Sequence, residues 1–390
     1  MRSTGRYELT VAGGEDVRAF VPEPLPPRDP PLEIAGELEA RLRAAEEALA
    51  RLELAGALVP DLEWFIYGFV RNEAVLSSQI EGTQASLTDL LAFEARASGD
   101  TAATPDLQEV SNYLDALGFA RAQITVSGGL PLSVRLLNEA HGRLMRGAKG
   151  AGRMPGEVRR TQNWVGGTRP GNAVFVPPPP HLVGGLLGDL EAYLHADYPL
   201  PPLVRTGLAH VQFETIHPYL DGNGRIGRLL VTLLLEHWHL LSYPLLYLSL
   251  HFKRHRDEYY RRLGAVRVDG DWEGWLRFFL EGVRIIADEA VSTAREMHRV
   301  VTADRGRVLL HADASLSAVR LFEALPRHPF MTVSVAMRLT GTTKPTAGRA
   351  VEALVAAGVL AETSGRKRDR TWAYQAYLEL LQVGTELNGS

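Results

Sequence analysis

Hydrophobic positions recur with a helical period along most of this chain of 390 residues. Between Ile34 and Leu54 the apolar residues stand three, four or seven apart, with charged residues between them. Similar spacing over residues 61–80, 107–124 and 132–145 predicts further helices, and the apolar run 229–250 predicts a buried core helix. The pattern therefore indicates a mostly α-helical protein.

Three stretches depart from this helical pattern. The prolines of Phe20–Ile34 favour an extended strap over the surface. A turn cluster at Gly166–Asn172, flanked by β-prone residues, predicts a β-hairpin within 157–180. Residues 315–390 contain three short helical segments and then two strand-like runs. That order predicts a separate C-terminal unit.

Composition narrows the class of protein. With 45% hydrophobic and 23% charged residues, the chain has the balance of an ordinary globular protein, and its net charge of −4 gives no overall attraction to nucleic acid or anionic membrane. The absence of cysteine excludes disulfides and thiolate metal sites. The first residues lack the apolar core of a signal peptide, and no apolar run is long enough to span a membrane, so we expect a cytoplasmic protein.

The stretch from His217 to Arg228, HPYLDGNGRIGR, carries the candidate chemistry. His217 can accept a proton near neutral pH, and the carboxylate of Asp221 suits a hard cation such as Mg²⁺. Glycines on both sides of one asparagine can turn successive N–H groups inward around phosphate oxygens, and two arginines three apart share one helix face. The phosphate-binding set is Gly222, Asn223, Gly224, Arg225 and Arg228. These residues predict a polyphosphate site.

This stretch also has two other interpretations. Most D-G-N-G tetrapeptides are ordinary exposed turns. Gly222, Gly224 and Gly227 also satisfy G-x-G-x-x-G, but the dinucleotide fingerprint requires a preceding β-strand. Apolar residues before the motif recur at helical spacing, so a helix–loop–helix is predicted and a Rossmann fold is disfavoured.

The stretch resembles the active-site motif of Fic-domain proteins, H-x-F-x-D/E-G-N-G-R-x-x-R, at all polar positions. Tyr219 replaces the usual Phe and adds a hydroxyl that needs a partner. The resemblance implies a Fic-type helical core that transfers AMP from ATP to a protein hydroxyl, with His217 as base. It also implies Mg²⁺ at Asp221 and nucleotide phosphates on the glycines and arginines.

A second motif lies upstream, at the end of the helix predicted over 61–80. Ser77 to Gly82 resembles the inhibitory S/T-x-x-x-E-G/N motif of Fic proteins, whose glutamate pairs with the second motif arginine. The resemblance therefore implies that Glu81 pairs with Arg228. The plain alternative is that Glu81 is a solvated charge, although a carboxylate at a helix C-terminus opposes the helix dipole.

The resemblance also assigns two peripheral features of the site. The hairpin around Val165–Val176 resembles the Fic flap, which holds a target protein by strand addition; the alternative is a plain surface hairpin. Tyr260 and Leu263 align with residues that line the adenine pocket, and core packing explains them equally well. Glu236, His237 and His239 do not share one helix face, so a zinc site is disfavoured.

The C-terminal pattern resembles a winged helix-turn-helix. Residues 315–390 hold nine Lys and Arg against six Asp and Glu, and Gly365–Arg370 concentrates four of those cations, Arg366, Lys367, Arg368 and Arg370. Such a wing suits DNA phosphates. The third helix carries few cations, so docking to a protein partner is the alternative.

We therefore predict an N-terminal strap and inhibitory region over 1–100, a Fic domain over 101–300 and a winged helix over 301–390. Three other functions stay open: removal of AMP from a target, transfer of another phosphate-bearing group, and DNA-binding regulation with a nucleotide-sensing Fic domain. The oligomeric state is also open, and a homodimer is one option.

Overall fold

The computed structural model describes residues 2–58, 62–96, 103–147, 152–313, 315–365 and 370–387. The helices of these residues are α1 Glu37–Leu58, α2 Leu62–Ile80, α3 Leu87–Arg96, α4 Pro105–Thr125, α5 Val134–Leu144, α6 Pro180–His195, α7 Pro202–Ile216, α8 Asn223–His237, α9 Ser249–Arg254, α10 Arg256–Asp269, α11 Trp272–Leu310, α12 Leu316–Ala324, α13 Val333–Thr340, α14 Lys344–Ala356 and α15 Gln375–Leu381. The strands are β1 Gly5–Ala12, β2 Glu15–Pro22, β3 Phe330–Thr332, β4 Ala361–Glu362 and β5 Thr371–Ala373. The predicted helical character is confirmed.

Side-chain caps explain where several helices begin. Thr104, Ser133 and Ser315 accept hydrogen bonds from backbone N–H groups in the first turns of α4, α5 and α12. Pro105 and Pro202 stand in the first turns of α4 and α7, where a missing N–H has no consequence.

The centre of the molecule is the antiparallel pair α7 and α8, joined by the loop that carries the motif. Every residue from Leu203 to Ile216 is buried, and so are Arg225 to Leu235 on α8. The 39-residue helix α11 packs along α1 and also reaches the C-terminal helices. The loop between α7 and α8 is therefore held by two rigid, buried elements. None of the described helices is both long and apolar enough to cross a membrane.

An N-terminal β-hairpin precedes the proline-rich strap and was not predicted. β1 and β2 pair antiparallel from Gly5↔Pro22 to Ala12↔Glu15. The turn is Gly13-Gly14, both with positive φ, which is a two-residue hairpin turn of the kind that glycine pairs favour. Alternating residues around a Gly-Gly pair were the sequence signal that could have revealed this hairpin.

The C-terminal region orders its elements as helix, strand, two helices, two strands and a final helix. β3, β5 and β4 form a three-stranded antiparallel sheet in that spatial order. Thr332 caps α13, and Gly341 ends it in the left-handed conformation. Three of the four predicted wing cations, Arg366, Lys367 and Arg368, lie outside the described residues. Arg370 pairs with Glu362 and lies over the ring of Trp372, 5.1 Å from its centroid.

Candidate active site

The motif loop is fixed by its backbone and by one asparagine. α7 ends at His217, which adopts φ 49° and ψ 61°, a left-handed conformation that is uncommon outside glycine. Asn223 then closes the loop: its Oδ1 accepts from the Tyr219 N–H and its Nδ2 donates to the Tyr219 carbonyl, both at 2.8 Å. The Asn223 side chain is therefore engaged within the loop, so any contact with a nucleotide would come from its backbone.

Arg159 anchors the same loop from outside, and it was not among the predicted site residues. Its Nε donates to the His217 carbonyl at 2.9 Å, and its Nη2 donates to the Pro178 carbonyl at 2.6 Å. The backbone N–H of Arg159 also donates to the Pro218 carbonyl at 2.9 Å. Burial lowers the pKa of Arg159 to about 10, so the guanidinium stays charged at neutral pH. A single arginine in a loop has no periodicity that could reveal this role.

The His217 imidazole is neutral at pH 7. Burial and then the charge of Arg159 lower its pKa to about 4, against a hydrogen bond to the Glu214 backbone that raises it. A neutral imidazole with one ring nitrogen held by a backbone carbonyl leaves the other nitrogen as an acceptor. His217 therefore has the protonation state that a general base requires.

Tyr219 finds a partner for the hydroxyl that distinguishes it from phenylalanine. Its OH donates to Asn138 Oδ1 at 2.8 Å, and its ring stacks on His141 with centroids 3.8 Å apart and planes within 4°. The Gly156 N–H donates to His141 Nδ1 at 2.9 Å, so Nε2 carries the proton and donates to the Asp221 carbonyl at 3.0 Å. The loop floor is thus a hydrogen-bonded layer that accommodates tyrosine.

The first turn of α8 forms the open part of the site. Gly222 caps the helix with φ 80°, whereas Asn223 and Gly224 are already helical, so only Gly222 of the predicted triplet has positive φ. The N–H groups of a first helical turn have no acceptor within the helix and, with the helix dipole, favour anions. The predicted phosphate cradle therefore corresponds to a helix N-terminus after one left-handed glycine.

A cavity of about 240 Å³ lies beside this N-terminus, and its lining includes Glu109, Met145, Arg146, Arg153, Asp221 and Arg225. The Asp221 side chain is 45% exposed, and its Oδ1 is 3.4 Å from Arg225 Nη2. Glu109 lies 3.7 Å from Arg225 Nη1. Mg²⁺ characteristically uses one or two carboxylates together with substrate phosphates and water, and Asp221 fits that role. The described residues contain no group of three or more His, Asp or Glu side chains that would form a complete metal site by themselves.

The second turn of α8 is closed by the end of α2. Arg228 is 2% exposed and donates through Nε to Ser77 Oγ and through Nη2 to the Ser77 carbonyl, both at 2.9 Å. Its Nη2 also donates to Glu81 Oε1 at 2.6 Å. A Cβ at Gly224 would collide with that same Glu81 oxygen, so the carboxylate lies directly against the first turn of α8. The structure thus brings Ser77, Glu81 and Arg228 together across 147 residues of sequence.

The charge of Arg228 affects the pKa values of the carboxyl groups around the second turn of α8. Burial acts to raise the pKa of Glu81, but the charge of Arg228, its hydrogen bond and the charge of Arg225 together leave that pKa below its ordinary value. Burial likewise acts to lower the pKa of Arg228, but Glu81, Tyr259 and Glu214 together raise it above its ordinary value. Glu214 and Glu73 also lie near Arg228, and burial raises the pKa of each to about 7.

The two residues aligned with the adenine pocket differ in exposure. Tyr260 is 42% exposed, and its ring lies 5.2 Å from that of Tyr259. The pKa of Tyr260 is raised, first by burial and then by the charge of Glu81, which places the ring beside the closed part of the site. Leu263 is 4% exposed and belongs to the hydrophobic core. Only Tyr260 therefore presents an open surface.

The flap is an irregular loop with one β-bridge rather than a regular hairpin. Val165 and Phe175 form that bridge, and a short 3-10 helix, Pro170–Asn172, makes the turn. On its other edge, the Val176 carbonyl accepts from the Phe20 N–H at 2.9 Å, so β2 adds to the flap. Asn163 Nδ2 donates to the Tyr219 carbonyl at 3.0 Å. The flap is thus joined to both the N-terminal hairpin and the motif loop.

Two family models match this chain, and both describe the Fic/DOC family. The Fic/DOC family N-terminal model matches residues 40–122, and the Fic/DOC family model matches residues 131–235. The first region contains Ser77 and Glu81, and the second contains the motif from His217 to Arg228. The two motifs found in the sequence therefore fall in two matched domains.

Curated relatives include proteins called protein adenylyltransferase Fic. The one from Culex quinquefasciatus is 35% identical over 128 residues, which are 32% of this chain and 23% of the relative. The one from Drosophila willistoni is 32% identical over 171 residues, or 43% of this chain and 30% of the relative. The chain thus spans less than a third of either relative's length.

Solved structures confirm the predicted Fic fold. A Fic family protein from Desulfovibrio desulfuricans G20 superposes with a TM-score of 0.57 at 24% identity, covering 88% of this chain and 98% of that one. A fragment of Fic-1 from C. elegans gives a TM-score of 0.52 at 21% identity, covering 66% and 72%. The winged-helix assignment of the C-terminal region stays a prediction.

Proposed function

Because this chain carries a Fic/DOC N-terminal domain and a Fic/DOC domain, we propose that it transfers AMP from ATP to a hydroxyl side chain of a protein target. The observation that carries the proposal is the arrangement at the motif loop. A neutral His217 precedes a helix N-terminus that opens on a cavity with Asp221 and Arg225. These are a proton acceptor and an anion-binding surface on one loop.

In the reaction, the target hydroxyl loses its proton to the free ring nitrogen of His217 as its oxygen attacks the α-phosphorus of ATP. The bond from the α-phosphorus to the bridging oxygen breaks, and pyrophosphate leaves. The first-turn N–H groups of α8 and the Arg225 guanidinium stabilise the negative charge on the phosphates. Asp221 would hold Mg²⁺, which when bound neutralises phosphate charge. Tyr260 and Leu263 would line the adenine pocket.

We further propose that Glu81 inhibits the transfer. Arg228 is a buried cation in the second turn of α8, and the γ-phosphate would need it for a productive position. Glu81 occupies that guanidinium at 2.6 Å and lies against Gly224. ATP can then enter the open cavity, but its triphosphate is displaced from the in-line geometry that transfer requires. The flap around Val165–Val176 would hold the extended target segment beside His217 by strand addition.

Position-specific labelling tests this function against the alternatives. The Glu81→Gly variant should incorporate label from ATP carrying ³²P at the α position and none from ATP carrying it at the γ position. The reverse pattern would indicate phosphoryl transfer, and the absence of both labels would contradict adenylyl transfer. Release of AMP from a pre-labelled sample by the wild type, but not by Glu81→Gly, would indicate that removal of AMP is the principal activity.

DNA binding by the C-terminal region is a separate matter, and one experiment decides it. Duplex DNA binding that weakens with salt, and that His217→Ala leaves unchanged, would support a regulator with a winged helix. No binding at low salt would leave docking to a protein as the remaining use of this region.

A further inference from the structure

A segment near the C-terminal end of the described residues packs against helices outside the C-terminal region. Residues 375–387, here called the C-terminal segment, comprise α15 and the turn after it. The segment packs on α2, the helix that ends in Ser77 and Glu81. A segment that contacts the helix leading into the proposed inhibitory glutamate has the position of a control element.

Buried contacts join the segment to α2 along most of that helix. Leu381 lies against Gly68, where a Cβ would come within 2.6 Å of Leu381 Cδ2. Asn72 Nδ2 donates to the Leu381 carbonyl at 2.9 Å in a fully buried hydrogen bond. Gln79 Nε2 donates to the Thr385 carbonyl at 2.8 Å. Because an unmade buried hydrogen bond is expensive, these contacts define one seating of the segment on the helix.

A lysine from a third element, α9, hydrogen-bonds to both α2 and the C-terminal segment. We call this set of contacts, Lys253 with Gln79, Gly384 and Glu386, the junction. Lys253 Nζ, on α9, donates to Gln79 Oε1 at 2.7 Å, to the Gly384 carbonyl at 2.8 Å and to the Glu386 carbonyl at 3.0 Å. Its three ammonium donors are thus shared between the last turn of α2 and the C-terminal segment. Gln79 is only two residues from Glu81, so the junction lies where the inhibitory residue leaves the helix.

Helical geometry places this junction and the active site on opposite sides of α2. Gly68, Asn72 and Gln79 share one face, since they stand four and seven apart, whereas Ser77 lies about 140° around the helix from Asn72. Ser77 and Glu81 contact Arg228 from that other face. The end of α2 is therefore clamped between Arg228 in front and the C-terminal segment behind.

We propose that the C-terminal segment is a latch that holds Glu81 on Arg228, so that displacing residues 375–387 from α2 raises AMP transfer. This inference rests on the proposed inhibition by Glu81. The physical basis is that the Glu81–Arg228 hydrogen bond requires the last turn of α2 to keep its position. The segment adds hydrogen bonds on the rear face of α2, beside the packing of α4 and α9 on the same helix. A partner that binds the C-terminal region and draws the segment away would then activate the enzyme.

The test uses Lys253→Met, which keeps the length of the side chain and removes its donors. Auto-modification by the full-length variant, measured with ATP labelled at the α position, should rise by about 5-fold to 30-fold, the change in population expected for losing one or two such contacts. The same substitution in a Glu81→Gly background should have little further effect, because the latch acts only through Glu81. Val383→Ala is the matched control, since Val383 belongs to the same segment but its side chain is 52% exposed.

Two results would overturn the latch. One is a folded Lys253→Met protein whose labelling equals that of the wild type. The other is an equal rise in the wild-type and Glu81→Gly backgrounds, which would place the effect of Lys253 elsewhere.

A measurement without catalysis separates the latch from the proposed function. Hydrogen exchange of the amides of residues 77–81 should be faster in Lys253→Met than in the wild type and unchanged in Val383→Ala. If Glu81→Gly incorporates no label, the proposed function fails, and the exchange result still decides whether the segment holds α2. Unchanged exchange in Lys253→Met would contradict the latch by itself.

Discussion

The first and second turns of α8 contain the two motif arginines but differ sharply in what surrounds them. In the first turn, Asp221 is half exposed and opens with Arg225 on a cavity of about 240 Å³. In the second, Arg228 is 2% exposed and donates hydrogen bonds to Ser77 and Glu81. The site is therefore open where the metal and the first phosphates are proposed to bind and closed where the γ-phosphate is proposed to bind. Two residues at the end of α2, Ser77 and Glu81, make that difference.

Removing the proposed base, His217, should have the largest effect on activity of all the substitutions considered. We expect His217→Ala, introduced into Glu81→Gly, to lose transfer by roughly 10²–10⁴-fold, because the imidazole is needed for proton transfer. ATP affinity, measured by calorimetry, should change little, since both α8 turns stay intact. A thermal melt is the control for folding, and near-full activity in a folded sample would rule out His217 as the base.

Glu214 is a buried residue near Arg228, and its titration tests the electrostatics around the second turn of α8. Its Oε1 is buried without a hydrogen-bond partner in the described structure, beside Gly227 and near Arg228. Burial raises its pKa to about 7 from an ordinary value of 4.5, so the folded protein retains a proton that the unfolded chain releases between these pH values. This group therefore makes stability fall as pH rises from about 4.5 to 7, and its destabilising effect is fully present above pH 7.

The variant Glu214→Gln should remove that dependence. Relative to wild type, it should gain on the order of 1–3 kcal/mol between pH 5 and pH 8. Melting temperatures of both proteins at the two pH values measure the difference. A difference that is the same at both pH values would show that Glu214 is ionised throughout, and that the closed turn is more polar than the geometry indicates.

Tyr219 supports the open turn and should give the smallest effect. Tyr219→Phe removes one hydrogen bond to Asn138 and should reduce stability by about 1 kcal/mol, as judged by denaturant titration. The ratio of Glu81→Gly to wild-type labelling should stay the same in this background, because the floor of the loop is separate from the Glu81–Arg228 pair. A changed ratio would couple the two turns through the loop.

The sequence predicted the open turn better than its surroundings. The spacing of His217, Asp221 and Arg225 follows from one short segment, so a local pattern was sufficient to identify it. The Glu81–Arg228 contact joins residues 147 apart and came only from family resemblance, since a lone glutamate at a helix end has no spacing that points to a partner. Arg159 stabilises the loop from an irregular segment where periodicity carries no information.

For the secondary structure, too, local helical patterns were predicted and long-range contacts were not. Helices with strong apolar stripes, such as α1, α4 and α5, were predicted within a few residues of their observed bounds. The N-terminal hairpin was not predicted, although Gly13-Gly14 marks its turn. The contacts of the C-terminal segment with α2 depend on residues more than 300 apart and are visible only in three dimensions.

The most direct test of the account compares auto-modification by the wild type, Glu81→Gly and Glu81→Gly/Arg228→Ala with ATP labelled at the α position. Freeing Arg228 should raise labelling by tenfold or more, since about 1.4 kcal/mol of bias changes the competent population by that factor. The double variant should be inactive, because it lacks the group that Glu81 occupies. Equal, weak labelling of wild type and Glu81→Gly would contradict the account and reduce Glu81 to a charge at a helix end.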